Sequence, residues 1–280
     1  MSPDLGRPGT SVADRLLGVL DAFTADRRAL SLSDIARRAG LPLATAHRLV
    51  ARLVAWGALE RDADGCYHIG LRLLEVASLA PRGLALRETA MPYLEDLYEA
   101  THENVHLAVR DGLEAVYVER ISARSAVRVL SRVGARWPLH ATGVGLVLLA
   151  YGDRALQETV CARPLRAFTP YTVTDPAVLR RVLAEVRRCG CAVSDRQITE
   201  DAISLAAPVR GADGHVVAAV SVVVDAEDAR VPALTATVQV AAGGISRALG
   251  WRPGRNRSDR GTGLPPGGKG MAVAALRARR

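Results

Sequence analysis

The strongest constraint lies between residues 11 and 70, where helical periodicity, a very short break, helical periodicity again and a two-period hairpin follow one another without room for a long loop. Val12, Leu16, Leu17, Val19, Leu20 and Phe23 recur at helical spacing, with Asp14, Arg15 and Asp21 on the other face, so residues 11–22 read as an amphipathic helix. Ser31 followed by Asp34 is a helix-start pattern: a cap, then an acid near the positive end of the helix dipole. A second helix over residues 32–39 stops at Gly40, and Leu41-Pro42 breaks the chain. Helical period resumes over residues 43–56 through Ala46, Leu49, Val50, Leu53 and Val54. Residues 58–61 and 66–69, joined by Asp62-Ala63-Asp64-Gly65, then read as a hairpin. Two helices joined by so short a turn form a helix-turn-helix, and the hairpin behind them supplies a wing.

In that arrangement the second helix of the pair enters the major groove, where Arg meets guanine and Thr or His meets base edges. The positions of residues 43–56 off the apolar stripe are Ala44, Thr45, His47, Arg48 and Arg52, which are the DNA-contact candidates. Thr45 reads equally as a residue bonding the first turn of its own helix, and Arg52 as a solvated cation. Arg37, Arg38 and Arg61 fit phosphate contacts, which position a protein without reading sequence.

Charge alone would not have led to DNA. The net charge is +8, but residues 251–280 carry +7 of it, residues 1–70 carry +1 and residues 71–250 are neutral. Lys269 is the only lysine, so arginine supplies nearly all the cations. The Pro, Gly and Arg content of residues 251–280 argues against a packed core, and a disordered basic tail is expected there, as is a disordered arm over residues 1–10. No apolar run approaches the roughly 20 residues of a membrane span. The start MSPDLGRPGT lacks the apolar stretch of a secretory signal, so a cytoplasmic protein without a membrane partner is expected.

Cys66, Cys161, Cys189 and Cys191 form no CxxC pair and no Cys-His cluster, so neither a metal nor a cofactor is expected, and Cys189-Gly190-Cys191 reads as two thiols flanking a helix-to-strand turn. A catalytic reading fails for want of a nucleophile with a base, or of a carboxylate pair. His140 near Thr142 has no visible third group, and there is no phosphate-cradling glycine loop.

Beyond the hairpin, residues 105–110 and 114–120 form one strand pair and residues 204–209 and 215–224 another. Helices are expected at residues 144–151, at 176–188 behind the cap Thr174-Asp175-Pro176, and at 233–249 ahead of Gly250. Interleaved hairpins and helices make this an α+β domain. Its most informative stretch is LHATGVG, residues 139–145, a loop entering an apolar helix: free amides at a helix start, with glycines permitting close approach, suit a carboxylate.

The runs SVADRLLGVLDAF, LSLSDIARRAGLP, the Thr45-Ala46-His47-Arg48-Leu49 segment, LERDADGCYHIGLRLLEVA, VHLAVRDGLEAVYVERI, SRVGARWPLHATGVG and AISLAAPVRGADGHVVAAVSV, in this order, resemble the IclR regulators over about residues 11–250. The resemblance implies a winged helix-turn-helix at 11–70, a linker helix at 71–83, and at 84–250 a GAF-like effector-binding domain of antiparallel sheet with flanking helices. It implies a transcription regulator, with repression the default, that binds a double-stranded inverted-repeat operator as a homodimer or homotetramer and responds to a small molecule. Members usually carry a basic residue and Ser after the turn Pro, where this chain has Leu43 and Ala44, so operator preference does not transfer. By resemblance the effector contacts fall on Leu139, Thr142, Gly143, Val144, Ser194, Asp195, Ser204 and Ser221. Ser194 stands where well-known members place Asp, with Asp195 adjacent; Ser204 replaces a frequent Cys; and Val223 replaces one of two strand hydroxyls. A neutral, more apolar pocket follows, suited to an organic acid bulkier than the small oxo acids, such as an aromatic acid.

Overall fold

The computed structural model describes residues 11–80, 83–122, 126, 127 and 129–252. The expected disordered arm and almost all of the basic tail lie outside these residues.

The first 60 described residues adopt the expected order. Helix α1 (Val12–Asp21) starts on a reciprocal capping box, Ser11 with Asp14. Helix α2 (Leu32–Arg38) starts on Ser31, whose hydroxyl accepts the Asp34 amide. The chain then reverses at Gly40, whose φ of +64° is cheap for a residue without Cβ. Helix α3 (Leu43–Trp56) is followed by the antiparallel pair β1 (Leu59–Arg61) and β2 (Tyr67–Ile69). Val19, Leu30, Ile35, Leu49, Val50 and Leu59 close a small core among these elements. Helix α4 (Leu71–Ser78) leaves the wing. It is fixed to α3 by a tight backbone approach, since a Cβ on Gly70 would lie 2.2 Å from the Gly57 carbonyl oxygen.

The larger domain is built on a six-stranded antiparallel sheet in the order β5-β4-β3-β8-β7-β6. Its strands are β3 (Asn104–Asp111), β4 (Glu114–Ile121), β5 (Arg136–Pro138), β6 (Ala192–Asp195), β7 (Ala202–Arg210) and β8 (Val216–Asp225). One face packs on α5 (Leu84–Thr101) and α9 (Val231–Ala248) through Leu94, Leu107, Leu205, Val220 and Ile245. The other face packs on α6 (Gly143–Ala150), α7 (Arg154–Cys161) and α8 (Pro176–Cys189) through Ala108, Tyr117, Leu146, Leu149, Leu183 and Ala219. Burial on both faces explains why β8 is a nearly unbroken apolar run rather than an alternating one. Every residue of α6 is buried, as expected of a helix that is apolar all round. The turn at Cys189-Gly190-Cys191 joins α8 to β6, with Gly190 at φ +69° ending the helix and both thiols free.

The strand register sets up the site. Ser221 of β8 lies opposite His106 of β3 and Ala206 of β7. Ser204 pairs with Val223 on one side and Ser194 of β6 on the other. A bulge between Leu107 and Ala108 brings Tyr117 opposite Ala108. With a side-chain period of two, His106, Tyr117, Ser194, Ser204 and Ser221 therefore share the face that α6 covers.

Candidate functional site

Helix α3 turns Ala46, Leu49 and Val50 inward, which leaves Ala44, His47, Arg48 and Arg52 exposed and Thr45 half-buried. The helix contains Arg48 and Arg52 but no acid, so no charge within the helix offsets theirs. Arg37 is exposed on α2, in an ion pair with Asp34 of 2.5 Å. Arg38 has a structural tie as well, its Nε donating to the Ala22 carbonyl at 2.7 Å and locking α2 onto the end of α1. Arg61, on the wing, stacks 5.6 Å over the Tyr67 ring and donates to the Gly65 carbonyl. Sequence reasoning missed the junction with the linker: the Arg72 guanidinium lies 5.5 Å over the Trp56 ring, and the Leu71 amide donates to Glu60 Oε1 at 3.0 Å. These contacts make α4 continue rigidly from the reading helix and the wing.

In the larger domain a cavity of about 60 Å³ opens beside the start of α6. Its polar lining is His106, Tyr117, Ser131, Thr142, Ser194, Thr199 and Ser204, and Val129, Leu130, Trp137, Ile198 and Val223 supply apolar wall. Among the described residues no Asp, Glu, Lys or Arg lines it. Thr142 caps α6 by accepting the Gly145 amide at 3.0 Å. Among the described residues the Gly143 and Val144 amides, in the first turn, find no acceptor, as at any helix start, although neither residue lines the cavity itself. Two glycines are required for this approach. A Cβ on Gly143 would sit 2.6 Å from Ser204 Oγ, and one on Gly145 would sit 2.5 Å from the Leu139 carbonyl oxygen. The loop is further held by Ser194, whose hydroxyl donates to the Ala141 carbonyl at 2.9 Å.

Thr142, Ser194 and Ser204 thus meet at one cavity, with Gly143 packed directly against Ser204. Leu139 and Val144 are buried around the loop, and Ser221 is buried further along the same face with no partner for its hydroxyl among the described residues. Asp195 stands apart: the alternation of β6 exposes it, 4.0 Å from Arg196 and away from the cavity. His140 is held outside the cavity by the Arg166 carbonyl, 3.0 Å from Nε2, and burial lowers its pKa.

Most of the lining was not anticipated, including the polar cluster Tyr117, His106 and Ser131. Tyr117 hydrogen-bonds Thr142, and burial raises its pKa. The His106 ring meets Tyr117 edge-on at 5.2 Å, and His106 Nε2 lies 2.8 Å from Ser131 Oγ. Burial first, and Arg120 second, push the His106 pKa down to about 3, so the imidazole is neutral. The available signal was a lone His inside the apolar run VHLAV, because a polar side chain at an inward strand position needs a partner or a ligand.

A winged helix-turn-helix with an acid-free reading helix, joined through a helix to an α+β domain with a small polar-lined cavity, is the build of a DNA-binding regulator that carries a ligand-binding module. Residues 12–63 match the IclR helix-turn-helix domain, and residues 80–247 match the C-terminal domain of the bacterial transcriptional regulator IclR. The chain belongs to the IclR family of transcriptional regulators. It is 31% identical over 243 residues to the HTH-type transcriptional regulator XynR of Escherichia coli, covering 85% of this chain and 96% of that one. It is also 31% identical over 250 residues to the HTH-type transcriptional repressor AllR of Klebsiella pneumoniae, covering 88% and 92%. Among solved structures, an IclR homologue from Microbacterium hydrocarbonoxydans in complex with 4-hydroxybenzoate superposes with a TM-score of 0.82 at 40% identity, covering 85% of this chain and 99% of that one. The relatives are named regulators, not enzymes. Among the described residues no group of His, Cys, Asp or Glu is placed to hold a metal, and no helix is long and apolar enough to cross a membrane.

Proposed function

We propose that this protein is a cytoplasmic repressor that binds an inverted-repeat operator as a homo-oligomer and is released by a small aromatic carboxylic acid. The observation that carries the ligand class is the cavity itself. It is walled by Tyr117, Trp137 and aliphatic side chains, carries no Asp, Glu, Lys or Arg among the described residues, and has Thr142, the cap of α6, in its lining. A carboxylate is held there by helix-end amides without a cationic side chain, and its ring lies against the apolar wall. The 4-hydroxybenzoate in the Microbacterium hydrocarbonoxydans homologue supports the same class, and a relative named as a repressor, AllR, supports repression.

Helix α4 supports the oligomer. Leu71, Leu74, Val76 and Leu79 are all exposed on it, Leu79 to 80%, which a single copy in water leaves uncovered. Pairing two such helices would place two reading heads on half-sites about 34 Å apart or a multiple of that, and a ligand-driven change in sensor pairing would alter that spacing.

Thermal melting against a panel of carboxylic acids tests the ligand class. A ligand at 100 times its Kd stabilises the native state by about 2.7 kcal/mol, which for a chain of this size is a rise in Tm of roughly 5–11 °C. Benzoates are expected to give that rise and to release the protein from its own upstream region in a gel shift. A rise produced by two- and three-carbon acids alone would reject the reading.

A further inference from the structure

The cavity has two polar ends, and only one is explained by a carboxylate. At the first, Thr142, the cap of α6, enters the lining. At the second, Ser131 Oγ and His106 Nε2 lie 2.8 Å apart. Tyr117 lies between them, interacting with Thr142 and meeting the His106 ring edge-on at 5.2 Å. The pair is buried, with His106 at 2% and Ser131 at 7% exposure, and both side chains line the cavity. Ser131 is presented by a chain segment that Arg120 holds from behind, Nη1 donating to the Ser131 carbonyl at 3.0 Å.

We propose that the Ser131–His106 pair is a specificity site that reads a hydroxyl on the far side of the ring of an aromatic acid whose carboxylate sits at the start of α6. This rests on the aromatic-acid reading above and adds the substituent that the protein selects. A serine hydroxyl bonded to an imidazole still has a free donor or acceptor, whichever the tautomer, so the pair takes a phenol as either partner. The imidazole is neutral, with its pKa held near 3, so this end suits a hydroxyl rather than a second carboxylate. Ser131 Oγ and His106 Nε2 already pair with one another, and His106 Nδ1 is without a partner among the described residues in either case, so an effector lacking the hydroxyl strands no further group. The preference is therefore moderate rather than absolute.

Titration calorimetry on the full chain with benzoate, 4-hydroxybenzoate and 4-methylbenzoate tests this, because methyl and hydroxyl are nearly equal in size. The wild type is expected to bind 4-hydroxybenzoate about tenfold more tightly than 4-methylbenzoate. Ser131→Ala is expected to bring the ratio to within about threefold. His106→Phe, which keeps a ring against Tyr117, is expected to do the same while retaining 4-methylbenzoate binding. Equal affinities in the wild type would overturn the specificity site and leave the aromatic-acid reading standing. A wild-type ratio that survives in Ser131→Ala would also overturn it, whether or not His106→Phe folds. If none of the three benzoates binds, the aromatic-acid reading falls and this one falls with it.

Discussion

Arg48→Ala is expected to weaken operator binding by about 1–3 kcal/mol, roughly 5- to 150-fold in Kd, with little change in Tm. Arg48 is exposed on the first half of α3, adjacent to His47, and among the described residues it has no ion-pair partner to hold it back from a base edge. The loss should depend on sequence, larger on the operator than on unrelated DNA, because a base contact is removed. Arg37→Ala, on α2, is expected to weaken all sequences alike and to lower the slope of binding against salt by about 1, as for a phosphate contact. Arg38→Ala separates a third case. Its Nε bond to the Ala22 carbonyl ties α2 to α1, so Tm should fall along with affinity. Gel shifts over a salt series, with a melting curve for each variant, distinguish the three. Equal operator binding by Arg48→Ala and the wild type would remove Arg48 from the base-reading set.

The reading head was legible because its signals are local. Ser11 and Ser31 cap, Gly40 and Pro42 punctuate, and the stripe Ala46, Leu49, Val50 defines the buried side of α3, all within a turn or two of the residues they organise. The observed α3 covers the expected residues, and the hairpin pairs Leu59 with Ile69 around the expected turn. What local pattern does not carry is the junction to the linker. The stacking of Arg72 on Trp56 joins residues far apart in sequence, and an exposed Trp at a helix end gives no hint of its partner.

The sensor domain was read in outline, its two long hairpins and three of its helices, but two helices went unread for identifiable reasons. Helix α5 contains Pro92 in its interior, which reads as a breaker and interrupts the pattern of its inward residues Leu86, Ala90, Leu94 and Leu97. Helix α7 is eight residues long, too short for periodicity to register, and is defined mainly by its Asp153 cap. The loop at residues 139–145 was legible as a helix start with glycines. His106 and Ser131 were not, because they are 25 residues apart and meet only through the packing of β3 against the segment before β5. Asp195 illustrates the converse: adjacency to Ser194 suggested a shared role, but strand alternation puts consecutive residues on opposite faces.

The other large effect is expected at Gly145. Gly145→Ala should destabilise the protein by about 2–4 kcal/mol and cancel the rise in Tm on adding a benzoate. The new Cβ would lie 2.5 Å from the Leu139 carbonyl oxygen, 2.8 Å from Leu139 Cα and 2.6 Å from Thr142 Oγ1, so two of its three obstacles are backbone. Relief requires moving the loop away from α6, which breaks the Thr142 cap and displaces the amides assigned to the carboxylate. A fall in Tm of roughly 5–15 °C is expected for this size of chain. Gly18→Ala is the matched control: it lies within α1 with nothing within 4 Å of the added Cβ, and should instead stabilise by about 0.5–1 kcal/mol. Gly143→Ala meets a different obstacle, the Ser204 hydroxyl at 2.6 Å, which is a side chain and removable. Adding Ser204→Ala should therefore recover part of the stability lost in Gly143→Ala, a coupling that a double-mutant cycle measures directly. The same second change should recover nothing in Gly145→Ala. If Gly145→Ala melted like the wild type and still responded to 4-hydroxybenzoate, the start of α6 would not be the rigid carboxylate seat assigned to it.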